Sequence, residues 1–108
     1  MATIDNSGNI ILDRAEDTTV PFDWLDDAGE PVDLGQADLA FKIHNMPELT
    51  MTPSANADNS KGRLLVFPRE YAQALSSKPK EYWVELTHED GTVDVLWRAQ
   101  ISSEGYIS

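Results

Sequence analysis

The sequence predicts an all-β fold: a small immunoglobulin-like antiparallel β-sandwich of roughly six to eight strands, with one short helical turn near residues 69–76. Three observations carry this expectation. Apolar residues recur at every second position in several short segments, which is the strand period. Gly, Pro, Asp and Asn separate those segments at close intervals. Asp90-Gly91 sits between two alternating runs, where a two-residue hairpin turn is expected. A small barrel would share these signals and is the alternative architecture.

Each element follows from its own residues. "NIILD" (9–13) reads as a brief first strand. In "TTVPFDWLD" (18–26) Val20, Phe22 and Trp24 share one face, while Thr19, Pro21 and Asp23 share the other. Pro21 has no N–H for a ladder, so this strand belongs at a sheet edge. "DDAGE" (26–30) is a turn, and "PVDL" (31–34) is an extended piece leading out. "DLAFKIHNM" (38–46) alternates with Leu39, Phe41 and Ile43 together, and "ELTMTP" (48–53) can pair back against it. "SANADNSKG" (54–62) is small and polar, an exposed loop. "RLLVF" (63–67) is apolar throughout, so either parity of its residues could face inward. "PREYAQALSS" (68–77) carries the one helical signal, with Pro68 at its opening, Glu70 in its first turn and Tyr71 four residues before Leu75. In "EYWVELTHE" (81–89) Tyr82, Val84 and Leu86 point one way and Trp83 and Glu85 the other. "TVDVLWRAQIS" (92–102) runs back with Val93, Val95, Trp97, Ala99 and Ile101 on one face. The expected core is Val20, Phe22, Trp24, Leu39, Phe41, Ile43, Leu64, Val66, Leu75, Tyr82, Val84, Leu86, Val95, Trp97 and Ile101. Residues 1–108 read as one domain, with a short flexible N-terminus over about 1–8 and a C-terminal tail over about 103–108.

Composition narrows the function classes. The chain has 108 residues, 41% of them hydrophobic, and no Cys, which excludes a disulfide scaffold and a thiolate metal site. Its net charge is −11. Residues 1–38 contain ten Asp or Glu and one basic residue, Arg14, and so hold −9 of that charge. Nucleic-acid binding draws on basic groups that displace counterions from phosphate, so nucleic acid and anionic membrane are not expected partners. No apolar run approaches the roughly 20 residues of a membrane span, and the first residues lack the pattern of a secretory signal. An acidic face of this kind opposes promiscuous association and can guide a basic protein partner.

Candidate chemistry is thin. "DWLDDAGEPVDL" (23–34) gathers Asp23, Asp26, Asp27, Glu30 and Asp33, but neither of the two registers that start on an acid at 23 or 26 places ligands and Gly as a calcium loop needs. The stretch is expected to be a turn whose acids face water, with an irregular calcium site on Asp26, Asp27, Glu30 and Asp33 as the alternative. His44 and His88 fall on outward parities of different strands, without further ligands at zinc spacing. No G-x-S-x-G elbow or phosphate-binding Gly loop is present. No catalytic residue, metal or cofactor is therefore expected. Trp83, outward on its strand, together with Tyr106 and Ile107 near the C-terminus, are the expected interface residues, because exposed aromatics gain burial only against a partner.

The order of segments is also familiar. "EDTTVPFDWLDDAGEPVDL", "ADLAFKIHNM", "KGRLLVFPREYAQAL" and "EYWVELTHEDGTVDVLWRAQIS" together resemble the small β-sandwich domain of bacteriophage tail and baseplate proteins. The likeness is to the N-terminal domain of the phage baseplate upper protein family, over about residues 10–102. It departs at Leu34-Gly35-Gln36, after the Pro-Val-Asp turn, and at Ala99, where Gly is usual. The resemblance implies a non-enzymatic structural virion protein, made in the host cytoplasm and placed in the tail or baseplate region. Such a protein would dock on or connect tail, baseplate, neck or tail-fibre components as an adaptor, and would be homo-oligomeric in the particle. A carbohydrate-binding module centred on Trp83, or a capsid decoration protein, are the rival readings.

Overall fold

A computed structural model describes residues 2–105. Its strands are β1 (Thr3–Ile4), β2 (Ile10–Asp13), β3 (Thr18–Phe22), β4 (Asp38–Ile43), β5 (Ser54–Ala55), β6 (Arg63–Phe67), β7 (Lys80–Thr87) and β8 (Val93–Glu104). One helix, α1 (Arg69–Ala74), stands between β6 and β7. The strands form a five-stranded sheet, β1-β2-β8-β7-β4, and a three-stranded sheet, β3-β6-β5. This is the all-β sandwich rather than the barrel. It is not wholly antiparallel, because β2 runs parallel to β8 with Ile10 opposite Ile101. Those strands come from opposite ends of the chain, and only hairpin-linked neighbours are forced to be antiparallel. Among the described residues no helix is long and apolar enough to cross a membrane.

Alternation places the core as expected on β4 and β7: Leu39, Phe41, Ile43, Tyr82 and Val84 are buried. Phe41 stacks on Tyr82 at 4.8 Å and meets Phe67 edge-on at 5.5 Å, so the two sheets touch through rings. Pro21 lies on β3, an outer strand of the small sheet, as its missing N–H requires. The segment 48–53 does return to β4, through a pair of backbone bonds between Met51 and Phe41 (2.8 and 3.0 Å).

Several expectations are corrected. On β6 the inward residues are Leu65 and Phe67, not Leu64 and Val66. The register with β3 decides this, setting Leu65 opposite Val20. Ile10 and Leu12 belong to the core, and so does Leu34, which sits in a 3-10 turn (Leu34–Gln36) rather than an extended piece. The N-terminal residues are not a loose lead-in, since β1 pairs with β2. Nor does the tail begin at 103: β8 continues to Glu104, and Ser103 is buried. The Asp90-Gly91 turn is a three-residue loop, closed by His88 and Thr92, with Gly91 at φ +90. That left-handed position is the one such loops reserve for Gly.

Helix α1 has six residues and is held from outside. Asp17 accepts the Arg69 N–H at its opening (2.7 Å). At its other end Arg14 donates to the Leu75 carbonyl (3.3 Å), and the Gln73 amide donates back to the Arg14 carbonyl (3.1 Å). Tyr82 performs the same service for the N-terminal hairpin. Its ring is wholly buried, its hydroxyl donates to the Gly8 carbonyl, and it accepts from the Trp97 indole N–H at 3.1 Å.

Two stability outcomes follow from this packing. Leu65→Ala should cost about 2–5 kcal/mol and Val66→Thr less than about 0.5 kcal/mol in urea unfolding, and the reverse order would mean the opposite parity for β6. Tyr82→Phe should cost about 1–3 kcal/mol, because it strands a part-buried carbonyl and an indole N–H, and a cost near zero would show that neither depends on the hydroxyl.

Candidate functional site

The outer face of the five-stranded sheet is built by the residues opposite in parity to the core. Lys42, Trp83 and Arg98 lie in one cross-strand row, and Ala40, Glu85 and Val95 form the next. Val95 was expected inside. It is moved by a β-bulge: Val84 pairs with Trp97, but Glu85 pairs with Val95, which leaves Leu96 as an extra residue on β8. Leu96 and Trp97 are consecutive and both pack against the core. Strict alternation forbids that, and the bulge permits it by reversing the parity of everything before it. Val93 and Val95 are thereby turned outward, 51% and 39% exposed, onto the face that carries Trp83.

Trp83 is partly buried and firmly held. Its indole N–H donates to Glu85 at 2.8 Å, and the Arg98 guanidinium lies over its ring at 5.6 Å. Lys42 bonds the same Glu85 carboxylate at 3.0 Å, and Arg98 reaches Glu81 at 3.2 Å. The Trp83 hydrogen bond, assisted by Lys42 and Arg98 and opposed by burial, holds Glu85 below the usual carboxylate range. The result is a preset aromatic centre, ringed by two cations and two anions, with exposed Val95 in the next row and exposed Val93 in the row beyond. Of the expected interface residues, Trp83 belongs to this face, whereas Tyr106 and Ile107 lie outside the described residues.

The acidic stretch is a turn. Asp26 accepts the N–H groups of Ala28 and Glu30 on one carboxylate oxygen, and Gly29 takes φ +80. Leu25 and Pro31 bridge across its neck. Asp33 caps the next 3-10 turn through the Gly35 N–H, and Asp23 accepts the Asn59 amide at 2.6 Å. The pattern recurs. "DNSGN" (5–9), "DDAGE" (26–30) and "HEDGT" (88–92) each close with the same pair of backbone bonds and a Gly of positive φ at the fourth residue. That repeated Gly spacing was a legible signal for three like hairpins, and sequence reasoning passed over it.

Other polar groups are spread out. Among the described residues no group of three or more His, Cys, Asp or Glu is placed to hold a metal ion. His44 and His88 are both exposed; His44 has the outward parity of β4, whereas His88 is in phase with the buried Tyr82 and Val84 and is exposed because it lies past the end of β7, in the turn. A cleft of about 530 Å³ is lined by Val32, Asp33, Ala37, Asp38, Leu86, Thr87, His88 and Glu89. Its His88 bonds Asp94 (2.7 Å) and its Asp33 is committed to the cap just described. No family model matches the chain, and no curated protein matches it.

A second aromatic group was missed. Phe22, Trp24 and Trp97, all expected in the core, are only partly buried. Trp24 stacks on Trp97 at 5.7 Å, and Phe22 meets Trp97 edge-on at 5.2 Å. They line an open cleft of about 270 Å³ together with Asn6, Ser7, Gly8 and Asp23.

The His88–Asp94 pair gives a pH test. Asp94's hydrogen bond raises the His88 pKa above its ordinary value of 6.5, with Asp94 and Asp90 charges adding and burial opposing. Such a raised value stabilises the fold fully below the unfolded pKa, and the contribution is lost as pH rises through the folded value. The His88 ring resonances should therefore titrate above 6.5 in NMR and fall back towards it in Asp94→Asn. An unchanged midpoint in that variant would dissolve the pair.

Proposed function

We propose that this chain is a non-catalytic docking domain of a bacteriophage particle, an adaptor that binds another structural virion protein through the outer face of its five-stranded sheet. The observation that carries the docking part is the preset Trp83 centre on a face where Val95, in the next cross-strand row, and Val93, in the row beyond, are turned outward. Interfaces concentrate their energy in a few aromatic and Arg anchors ringed by polar groups. Trp83 and Arg98 are both of that kind, and their side chains are already ordered by Glu85 and Glu81. Ordering before contact reduces the conformational entropy lost on binding. The virion part rests on the likeness of the segment order to phage tail and baseplate sandwich domains. Placement in the tail or baseplate region, and repetition by the particle's symmetry, follow from that likeness.

The acidic N-terminal third complements this reading. Its charge would steer a basic partner and keep like-charged copies apart before assembly. A partner that also covers Lys42 and Arg98 would meet their paired acids, so the contact would be specific rather than merely attractive.

The test is incorporation. In virions purified from producing cells, mass spectrometry should find the wild-type chain, and a Trp83→Ser, Val95→Asp double variant should be depleted by about tenfold or more while still folding by circular dichroism. Full incorporation of that variant would overturn docking through this face. Absence of the wild-type chain from every particle fraction would overturn the virion reading.

A further inference from the structure

We propose that the cleft formed by Trp24, Trp97, Asn6, Ser7 and Asp23 is a binding site for a neutral pyranose sugar of an oligosaccharide. The proposal does not rest on the docking face, which lies on other residues. It begins with an aromatic platform. Trp24 is partly buried, stacks by one face on Trp97 at an interplanar angle of 16°, and lines the open cleft. Trp97 is in turn fixed from below, since its indole N–H is spent on the buried Tyr82 hydroxyl. The platform is thus rigid before any ligand arrives. A flat indole suits the C–H face of a pyranose, which is apolar, while the ring's hydroxyls project sideways and need donors and acceptors together.

Both are present at the rim. The side chains of Asn6 and Ser7 are exposed on the first hairpin turn and, among the described residues, make no hydrogen bond of their own. An amide and a hydroxyl each donate and accept. Asp23 supplies a carboxylate whose direction is set by the Asn59 amide at 2.6 Å. The backbone there is set too: a Cβ on Gly62 would lie 2.6 Å from the Asp23 carboxylate and 2.9 Å from the Phe22 carbonyl, so only Gly fits. The opposite rim is held by the Tyr82 hydroxyl on the Gly8 carbonyl. Lining segments held by the Asp23–Asn59 bond and by the Tyr82–Gly8 bond, together with a fixed indole, favour a preformed site.

Charge and size select among ligands. The cleft contains Asp23 and no cation, and Asp5 begins the same turn, so uronates, sialylated sugars and phosphates are repelled. About 270 Å³ is small for a drug-sized ligand and suits one sugar ring with its neighbours in solvent. A cationic side chain is the rival occupant of an aromatic site beside an acid. It is disfavoured because the two indoles stack on each other and offer one face rather than a cage, and because Asn6 and Ser7 would go unused. Trp83 is the poorer sugar platform, as Arg98 covers its ring and Glu85 takes its N–H.

The experiment uses the full chain in two-dimensional NMR, with the three indole N–H resonances as reporters. Maltotriose, cellotriose and the N-acetylglucosamine trimer are titrated to about 10 mM, the range expected for a single shallow site. At least one should shift the Trp24 resonance saturably. The response should vanish in Trp24→Ala and weaken about fivefold or more in Asn6→Ala, which alters only an exposed turn residue and keeps the test valid should Trp24→Ala not fold. The proposal is overturned if none of the three sugars shifts Trp24. It is equally overturned if the shift persists in both variants, if Trp83→Ala abolishes it instead, or if arginine amide displaces the sugar at lower concentration.

Discussion

The hydroxyl of Tyr82 is the constraint on which most of this molecule depends. Its ring is wholly enclosed, so the polar atom at its end must find partners inside the protein or cost more than the ring gains. It finds two, the Gly8 carbonyl and the Trp97 indole N–H. Burial pushes its pKa upward, opposed by the Trp97 hydrogen bond and aided by the Asp5 charge. That choice ties the N-terminal hairpin to the far strands of the sheet. It also fixes the tryptophan whose neighbour Leu96 requires the bulge in β8.

From that knot the two surfaces of interest diverge in opposite directions. Inward packing of both Leu96 and Trp97 reverses the strand beyond them, which turns Val93 and Val95 outward onto the face that carries Trp83. On the other side, Trp97 presents its ring to Phe22 and Trp24 and closes the floor of the aromatic cleft. One local departure from alternation therefore creates the docking face, and one buried hydrogen bond supports the cleft. Glu81 and Glu85 order the docking face and Asp23 lines the cleft, but most of the other acids take little part in either. They are spent on turns and caps, as with Asp26, Asp33 and Asp17, or project into water. Part of the acidic composition here follows from the tight turns a small sandwich needs, and the acids that project into water add solubility.

Legibility followed the cleanness of the local pattern. β4 and β7 alternate without ambiguity, and their buried residues were readable directly. β6 is apolar at four successive positions, so the choice between Leu64 and Leu65 was invisible until β3 fixed the register. Trp83 was legible as an outward aromatic because its neighbours on β7 are strictly patterned. The Trp24–Trp97 cleft was not, because parity assigned both rings to the core, and parity says nothing about where along a strand the sandwich ends. Tyr106 and Ile107 lie outside the described residues, so their part in an interface stays an expectation from sequence.

By itself the sequence determined the all-β class, the faces of the regular strands, the turns at Gly29 and Gly91, and the edge position of Pro21. These are short-range matters, set by side-chain period, missing donors and permitted φ values. Only the tertiary structure decided that β2 lies parallel beside β8, that β8 bulges at Leu96, and that Trp24 stacks on Trp97. Each of those depends on partners far away in the chain competing for one interior volume, and a close-packed interior admits a single solution that no local window contains.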